Sequence, residues 1–398
     1  MGKSVALLSG KGGSGKTTLS LSIAYLFAAR ELKVLLVDCD LLTNGATYFF
    51  EDRLSENKSV LTFADMLYGL DHGETLSPIK INPYLDFIPS IRHLNEQLLF
   101  SASDSVLPED RFSRHYRKLS ETYDVLLFDC PAGFSEAVQY VTPHMDNNLV
   151  VLEADTISMA AMRSLYIKLA TVVPDVKFYQ IFNKIRKEEA DKYGDRNGTF
   201  FTNIGAVTFD WAIPGAFAMA EVPTVDSAGA DFSMQLYKIC AELFRGERYQ
   251  NKLQQFHRAL MLSNAKAERA KIEDEVLKYK TGQTMKKRLI DRVWRVSPLV
   301  FSITALLTTE MAMDNVFFEK MPSSQSAIAV LAFMCALVGV ISLVFSMARD
   351  DSELRMKSRV YMERLDEIDY VIAKLTKEVE AGSPRLAGKE RMSVQVKK

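Results

Sequence analysis

The sequence predicts an α/β fold: a doubly wound, mostly parallel sheet, followed by a helical and transmembrane C-terminal region. Three observations carry this expectation. Gly10, four residues, and then Gly15-Lys16-Thr17 form a P-loop between the apolar run Val5–Leu8 and the apolar stretch Leu19–Ala29. Two further apolar runs, Val34–Val37 and Val125–Phe128, each end on an aspartate. Beyond about residue 245 the chain turns to charged helical sequence and then to Ser326–Ala348, which contains no charged residue.

Val5–Leu8 reads as a parallel strand buried on both faces, because its apolar residues are continuous rather than alternating. The glycines that follow let backbone N–H groups close around phosphate oxygens, and the N-terminus of the next helix adds its positive end. The nucleotide-binding set is Gly10, Lys11, Gly12, Gly13, Ser14, Gly15, Lys16, Thr17 and Thr18. Lys16 is expected on the β and γ phosphates, and Thr17 on Mg²⁺.

In an open parallel sheet, ligands bind beyond the carboxyl ends of the strands. That rule brings Asp38, Asp40 and Asp129 towards the loop. Asp129 is expected to hold Mg²⁺ through water, with Asp38 supporting the metal shell. Asp40 is expected to orient, or take a proton from, the attacking water. Capping of the following turn is the competing role for Asp38 or Asp40. Lys11 is a second cation in a loop whose phosphates Lys16 already serves. It reads either as a solvated loop charge or as a charge for the transferring phosphate, supplied in cis or in trans.

"KGGSGKTT" (Lys11–Thr18) resembles the deviant P-loop of the ParA/MinD family of ATPases. "VLLVDCD" (Val34–Asp40) resembles that family's switch region, and "YDVLLFDCPAG" (Tyr123–Gly133) its Walker B strand. "FNK" (Phe182–Lys184) and "IPG" (Ile213–Gly215) resemble the adenine-side segments, which brings in Asn183 and Pro214. The resemblance covers about residues 1–245. It implies an ATP hydrolase that uses ATP and Mg²⁺, forms an ATP-dependent homodimer and answers to a protein partner or activator. It also implies that Lys11 crosses the dimer interface to the partner's nucleotide. The family's usual Pro-Gln-Gly is absent from "DCDLLTNGATYFF", leaving Thr43 and Asn44 as the switch candidates. Arg186–Phe201 reads as an exposed, charged loop or lid.

Five segments are expected: the ATPase domain at 1–245, a charged helical stalk at 246–295, a two-helix transmembrane hairpin at 296–348, a coiled-coil-like helix at 349–380 and a basic disordered tail at 381–398. As a helix, Ser326–Ala348 would span ~35 Å, enough for a bilayer core. Val296–Met313 is shorter and contains Glu310. Lys286, Lys287, Arg288, Arg292 and Arg295 precede the pair, and Arg349, Arg355, Lys357 and Arg359 follow it. Positive flanks stay inside. The expectation is therefore a multi-pass protein of the inner membrane, in contact with the lipid bilayer, with its ATPase domain and C-terminus in the cytoplasm. Leu365, Ile368, Ile372, Leu375 and Val379 keep the spacing of a coiled-coil seam.

The net charge of −1 gives no global basic field, so nothing points directly to nucleic acid. The four cysteines, Cys39, Cys130, Cys240 and Cys335, lack metal-ligand spacing. The function expected is a membrane-anchored ATPase switch that recruits or positions a partner. The alternatives are a membrane-associated kinase of the bacterial tyrosine kinase type and a non-hydrolysing ATP-binding scaffold. Lys16→Ala is expected to abolish ATP binding, because the β and γ phosphates lose their fixed cation. Titration with a fluorescent ATP analogue checks this, and unchanged affinity would remove the P-loop assignment.

Overall fold

The computed structural model describes residues 1–55, 59–69, 76–91, 107–173, 176–194, 201–219, 221–222, 230–278 and 359–381. Two compact units form: Met1–Ser263 with Glu378–Lys398, and Asn264–Lys377.

The first unit is built on an eight-stranded sheet. Its strands are β1 (Lys3–Ser9), β2 (Val34–Asp38), β3 (Ile79–Asn82), β4 (Leu85–Ile88), β5 (Val125–Ala132), β6 (Asn147–Glu153), β7 (Phe178–Ile185) and β8 (Thr202–Thr208). Their spatial order is β3-β4-β2-β5-β1-β6-β7-β8. Every neighbouring pair is parallel except the β3–β4 hairpin at one edge. The mostly parallel α/β sheet expected from the apolar runs is therefore present.

Successive residues of each central strand feed opposite cores, as the two-residue period of a strand requires. Val5, Leu7, Val34, Leu36, Val125 and Leu127 lie in one apolar cluster. Ala6, Leu8, Leu35, Val37, Leu126 and Phe128 lie in the other. A sheet covered on both faces buries nearly every residue of β1, β2 and β5. Only the strand ends are left for chemistry.

Helix Lys16–Ala28 follows the loop directly and is buried along most of its length. Its two inward serines are satisfied locally: Ser20 donates to the Thr17 carbonyl (3.0 Å) and Ser22 to the Thr18 carbonyl (2.7 Å). No side chain caps its N-terminus, so its first N–H groups remain for a ligand. At its other end Phe27 meets Phe244 edge-on, with ring centroids 4.6 Å apart, and Tyr249 at 6.5 Å. Leu253, Phe256 and Leu260 join the same cluster.

In the second unit, residues 264–278 and 359–377 are helical. Arg269 pairs with Asp369 at 2.5 Å and Arg364 with Glu268 at 2.8 Å. Among the described residues of this unit, Ile272 and Ile368 are buried and Leu365, Ile372 and Leu375 partly buried. The described contacts between these helices are ion pairs, so the coiled coil is not supported.

The membrane placement is corrected. Among the described residues no helix is long and apolar enough to cross a membrane. The helix over 247–278 has the length, but Lys252, Arg258, Lys266, Arg269 and Lys271, among others, charge it throughout. The segments 296–313 and 326–348, on which the hairpin and the inner-membrane location rested, lie outside the described residues, as does the tail at 382–398.

Phe27→Ala is expected to destabilise the first unit by about 3–5 kcal/mol, since the cavity would open against the rings of Phe244 and Tyr249. Urea denaturation followed by circular dichroism checks the value.

Candidate functional site

The carboxyl ends of β1, β2, β5, β6 and β7 meet on one side of the sheet, and the chain's order turns about β1. The loop leaving β1 is shaped by its glycines in different ways. Gly13 and Gly15 have φ of 79° and 94°, which favour glycine. A Cβ on Gly10 would stand 2.5 Å from the Ala161 backbone in helix Thr156–Val172. A Cβ on Gly15 would stand 2.3 Å from Asn183 Nδ2. Around Gly12 and Gly13 there is open space. The loop is thus packed at its base and open at its tip.

Three side chains hold the loop. Ser9 Oγ donates to the Lys11 carbonyl at 2.8 Å. Asn183, at the end of β7, donates from Nδ2 to the Ser14 carbonyl at 2.8 Å. Lys184 donates to the Gly13 carbonyl from a backbone with φ 57°, an uncommon conformation for a non-glycine residue. Lys16 is buried, and its ammonium donates to Ser9 Oγ at 2.7 Å. Pro214, by contrast, is exposed on helix Ala212–Ala218, and of the two expected adenine-side residues it is Asn183 that contacts the loop.

Asp38 and Asp129 are register partners at the ends of β2 and β5. Both are buried, and burial raises both carboxyls well above the ordinary range. The Asp38 charge pushes Asp129 further up, while the Thr17 hydroxyl and the Lys16 charge pull it down. Asp129 Oδ1 is buried without a hydrogen-bond partner. An orphaned carboxylate oxygen beside Thr17 is what a hydrated Mg²⁺ would satisfy, so Thr17 and Asp129 fit that ion. Among the described residues, no group of three His, Cys, Asp or Glu side chains could hold a metal. That suits Mg²⁺, which takes few protein ligands and completes its shell with phosphate and water.

Asp38 has a different engagement. Its Oδ1 accepts from the Asp40 N–H at 3.0 Å, and its Oδ2 accepts from the Thr47 N–H and hydroxyl, both at 2.8 Å. Thr47 Oγ1 lies 2.9 Å from Ser90 Oγ, which donates to Asn44 Oδ1 at 2.6 Å. Asp38 therefore ties residues 40 and 47 to the end of β2. Asn44 has φ 49° and is buried in this network. Thr43 instead donates to Asp40. Asp40 also accepts from the N–H groups of Leu42 (3.1 Å) and Thr43 (2.9 Å), so it caps the turn here.

Lys11 lies against its own chain. Its ammonium is 3.2 Å from Glu153 Oε2 and 3.1 Å from Asp155 Oδ2. Glu153 also holds Lys184 at 2.8 Å. Sequence reasoning passed over Glu153 and Asp155. The signal was present, since Glu153 ends the apolar run Leu149–Leu152 just as Asp38 and Asp129 end theirs. Ser90 and Thr47 carried no comparable signal.

Residues 2–178 match the family model AAA_31, described as an AAA domain. The chain is 28% identical over 192 residues to a putative septum site-determining protein MinD of Emiliania huxleyi, covering 47% of this chain and 65% of that protein. It is 26% identical over 153 residues to the septum site-determining protein MinD of Bacillus subtilis, covering 38% of this chain and 53% of that protein. The chain thus spans less than two thirds of the length of either relative. Among solved structures, a putative plasmid partition protein from Borrelia burgdorferi B31 bound to AMPPNP is similar in fold. Its TM-score is 0.51 at 17% identity, covering 61% of this chain and 98% of that one. These likenesses support the ParA/MinD resemblance of the N-terminal domain.

Gly15→Ala is expected to cost at least tenfold in nucleotide affinity and about 1–3 kcal/mol of stability, through its positive φ and the Asn183 clash. Isothermal titration with ATP and a urea melt check the two parts.

Proposed function

We propose that this chain is a Mg-ATP-dependent P-loop ATPase that dimerises around nucleotide and serves as a switch recruiting or positioning a partner protein. The observation that carries this reading is the buried, partnerless Asp129 Oδ1 beside Thr17 and Lys16, where the glycine loop passes into its helix. The positioning role is supported by the names of the relatives, which concern septum placement and plasmid partition.

The residues divide the work. Lys16, steadied by Ser9, serves the β and γ phosphates. Gly12, Gly13, Ser14, Gly15 and Thr18 offer backbone N–H groups, and Asn183 keeps the loop in shape for them. Thr17 and Asp129 hold Mg²⁺, which neutralises phosphate charge and orients the terminal phosphoryl group when bound. Asp38 ties the switch to the strand end below this site. For Asp40 to orient water it must give up its turn, so hydrolysis requires the switch to rearrange. Lys11 supplies the partner's site with a cation facing developing charge.

The engagement of Asp40 in a turn favours a second reading, a non-hydrolysing scaffold. Incubation with γ-labelled ATP separates the readings. Free phosphate supports the ATPase, labelled protein points to a kinase, and neither points to the scaffold.

Lys11→Ala is expected to leave monomer ATP binding nearly intact while lowering turnover roughly 10³-fold or more and abolishing ATP-dependent dimerisation. Mixing it with Asp40→Ala chains should regain one active site per mixed dimer if Lys11 works in trans. Crosslinking of differently tagged chains confirms that mixed dimers form. No recovery in their presence would place Lys11 in cis.

A further inference from the structure

Helix Gly45–Phe49 follows the segment that leaves β2, and it is held along its length. At its start, a Cβ on Gly45 would stand 3.3 Å from Thr17 Oγ1, so its backbone lies against the hydroxyl that fits Mg²⁺. In its middle, Thr47 donates to Asp38 from its N–H and its hydroxyl, both at 2.8 Å. At its end, the Phe49 ring meets Phe217 of helix Ala212–Ala218, with centroids 5.4 Å apart. Both rings are half-buried. Phe49 also meets Phe50 edge-on at 5.0 Å, and Phe50 meets the buried Phe87 of β4 at 4.8 Å.

The contact between Phe49 and Phe217 spans the site. In the sheet, β2 and β8 are separated by β5, β1, β6 and β7, yet the segments leaving their carboxyl ends touch. The Phe209 N–H donates to the Ile185 carbonyl at 2.9 Å. That bond fixes the start of the second segment beside the end of β7, where Asn183 holds the phosphate loop. The loop is thereby encircled, with Thr17 and Asp38 on one side, Asn183 on the other and the ring pair closing the circuit. The metal-fitting residues Thr17 and Asp129 lie towards β2 and β5, so the nucleoside end of a bound nucleotide leaves on the side of β7 and β8.

Resting on the Mg-nucleotide reading above, we infer that Phe49 and Phe217 are positioning residues that make the metal end of the site respond to the nucleoside end. A base lying against helix Ala212–Ala218 steadies Phe217, Phe217 steadies Phe49, and helix Gly45–Phe49 then sets Thr17 and Asp38. Mg²⁺ therefore strengthens the binding of a nucleotide more than that of a phosphate chain without a base, and by linkage the base strengthens Mg²⁺ binding equally. The pair thus selects a complete nucleotide. A ring pair of this kind carries a modest coupling, roughly two- to tenfold in affinity.

Isothermal titration of the full chain tests this with ADP and with ribose 5-diphosphate, which lacks only the base, each with Mg²⁺ and with a chelator. Diphosphates keep hydrolysis out of the measurement. The readout is the factor by which Mg²⁺ tightens ADP, divided by the factor for ribose 5-diphosphate. A residue that only stabilises the fold leaves this ratio unchanged. Wild type should give a ratio of roughly two to ten. Phe217→Leu should bring it to about one, Phe217→Tyr should retain it, and adding Phe49→Leu to Phe217→Leu should lower it no further. If Phe217→Leu fails to fold, Phe49→Leu gives the same measurement from the other half of the pair. A wild-type ratio of unity overturns the coupling and leaves the nucleotide reading standing. A ratio that survives Phe217→Leu overturns the role of the rings. Absence of any ADP or ATP binding to the wild-type chain with Mg²⁺ overturns the nucleotide reading and this inference together.

Discussion

Two carboxylates forced side by side out of water dominate this site. Asp38 and Asp129 are opposite one another in register at the ends of adjacent strands, and both are buried. Burial disfavours the charged form of each, and the Asp38 charge makes ionisation of Asp129 harder still. The protein meets the two in different ways. Asp38 is enclosed by three N–H and O–H donors, whereas Asp129 keeps an oxygen with no partner. The surrounding architecture follows from this asymmetry. The satisfied carboxylate ties the segment after β2 to the sheet, and the unsatisfied one is where a cation would restore the balance.

The same strand ends explain what the sequence could reveal. A parallel strand covered on both faces must be apolar throughout, so a polar residue ending such a run marks the ligand side. Val5–Leu8, Val34–Val37 and Val125–Phe128 therefore announced both the sheet and its aspartates. The P-loop was legible because glycine is required where φ is positive or where another backbone crowds in, and those demands leave fixed spacings. Asn183 was legible only through a family likeness. Its contact with Ser14 joins residues far apart in the chain, and no local pattern records such a meeting.

Other parts were hidden for a related reason. Asp40 could be read as a base or as a turn cap, since both need a carboxylate just after a strand. The backbone of residues 42 and 43 decides in favour of the cap in this conformation. Thr47 and Ser90 are ordinary residues in sequence and become a network only when the folded chain brings them to Asp38 and Asn44. Of the C-terminal expectations, the membrane placement was the one overturned. The helices at 247–278 and 359–381 have the length and part of the periodicity of a stalk, and ion pairs join their charged residues.

Gly10 leaves no room for even a methyl group between the phosphate loop and the backbone of helix Thr156–Val172. The base of the loop and the middle of that helix are in direct backbone contact, with no compressible side chain between them. Protein interiors are stiff at such contacts. The two segments therefore behave as one mechanical part, although 150 residues separate them in the chain. A displacement of the loop base has no slack in which to be lost. It must appear along the helix, whose outer face carries the exposed Ile157 and Ile167.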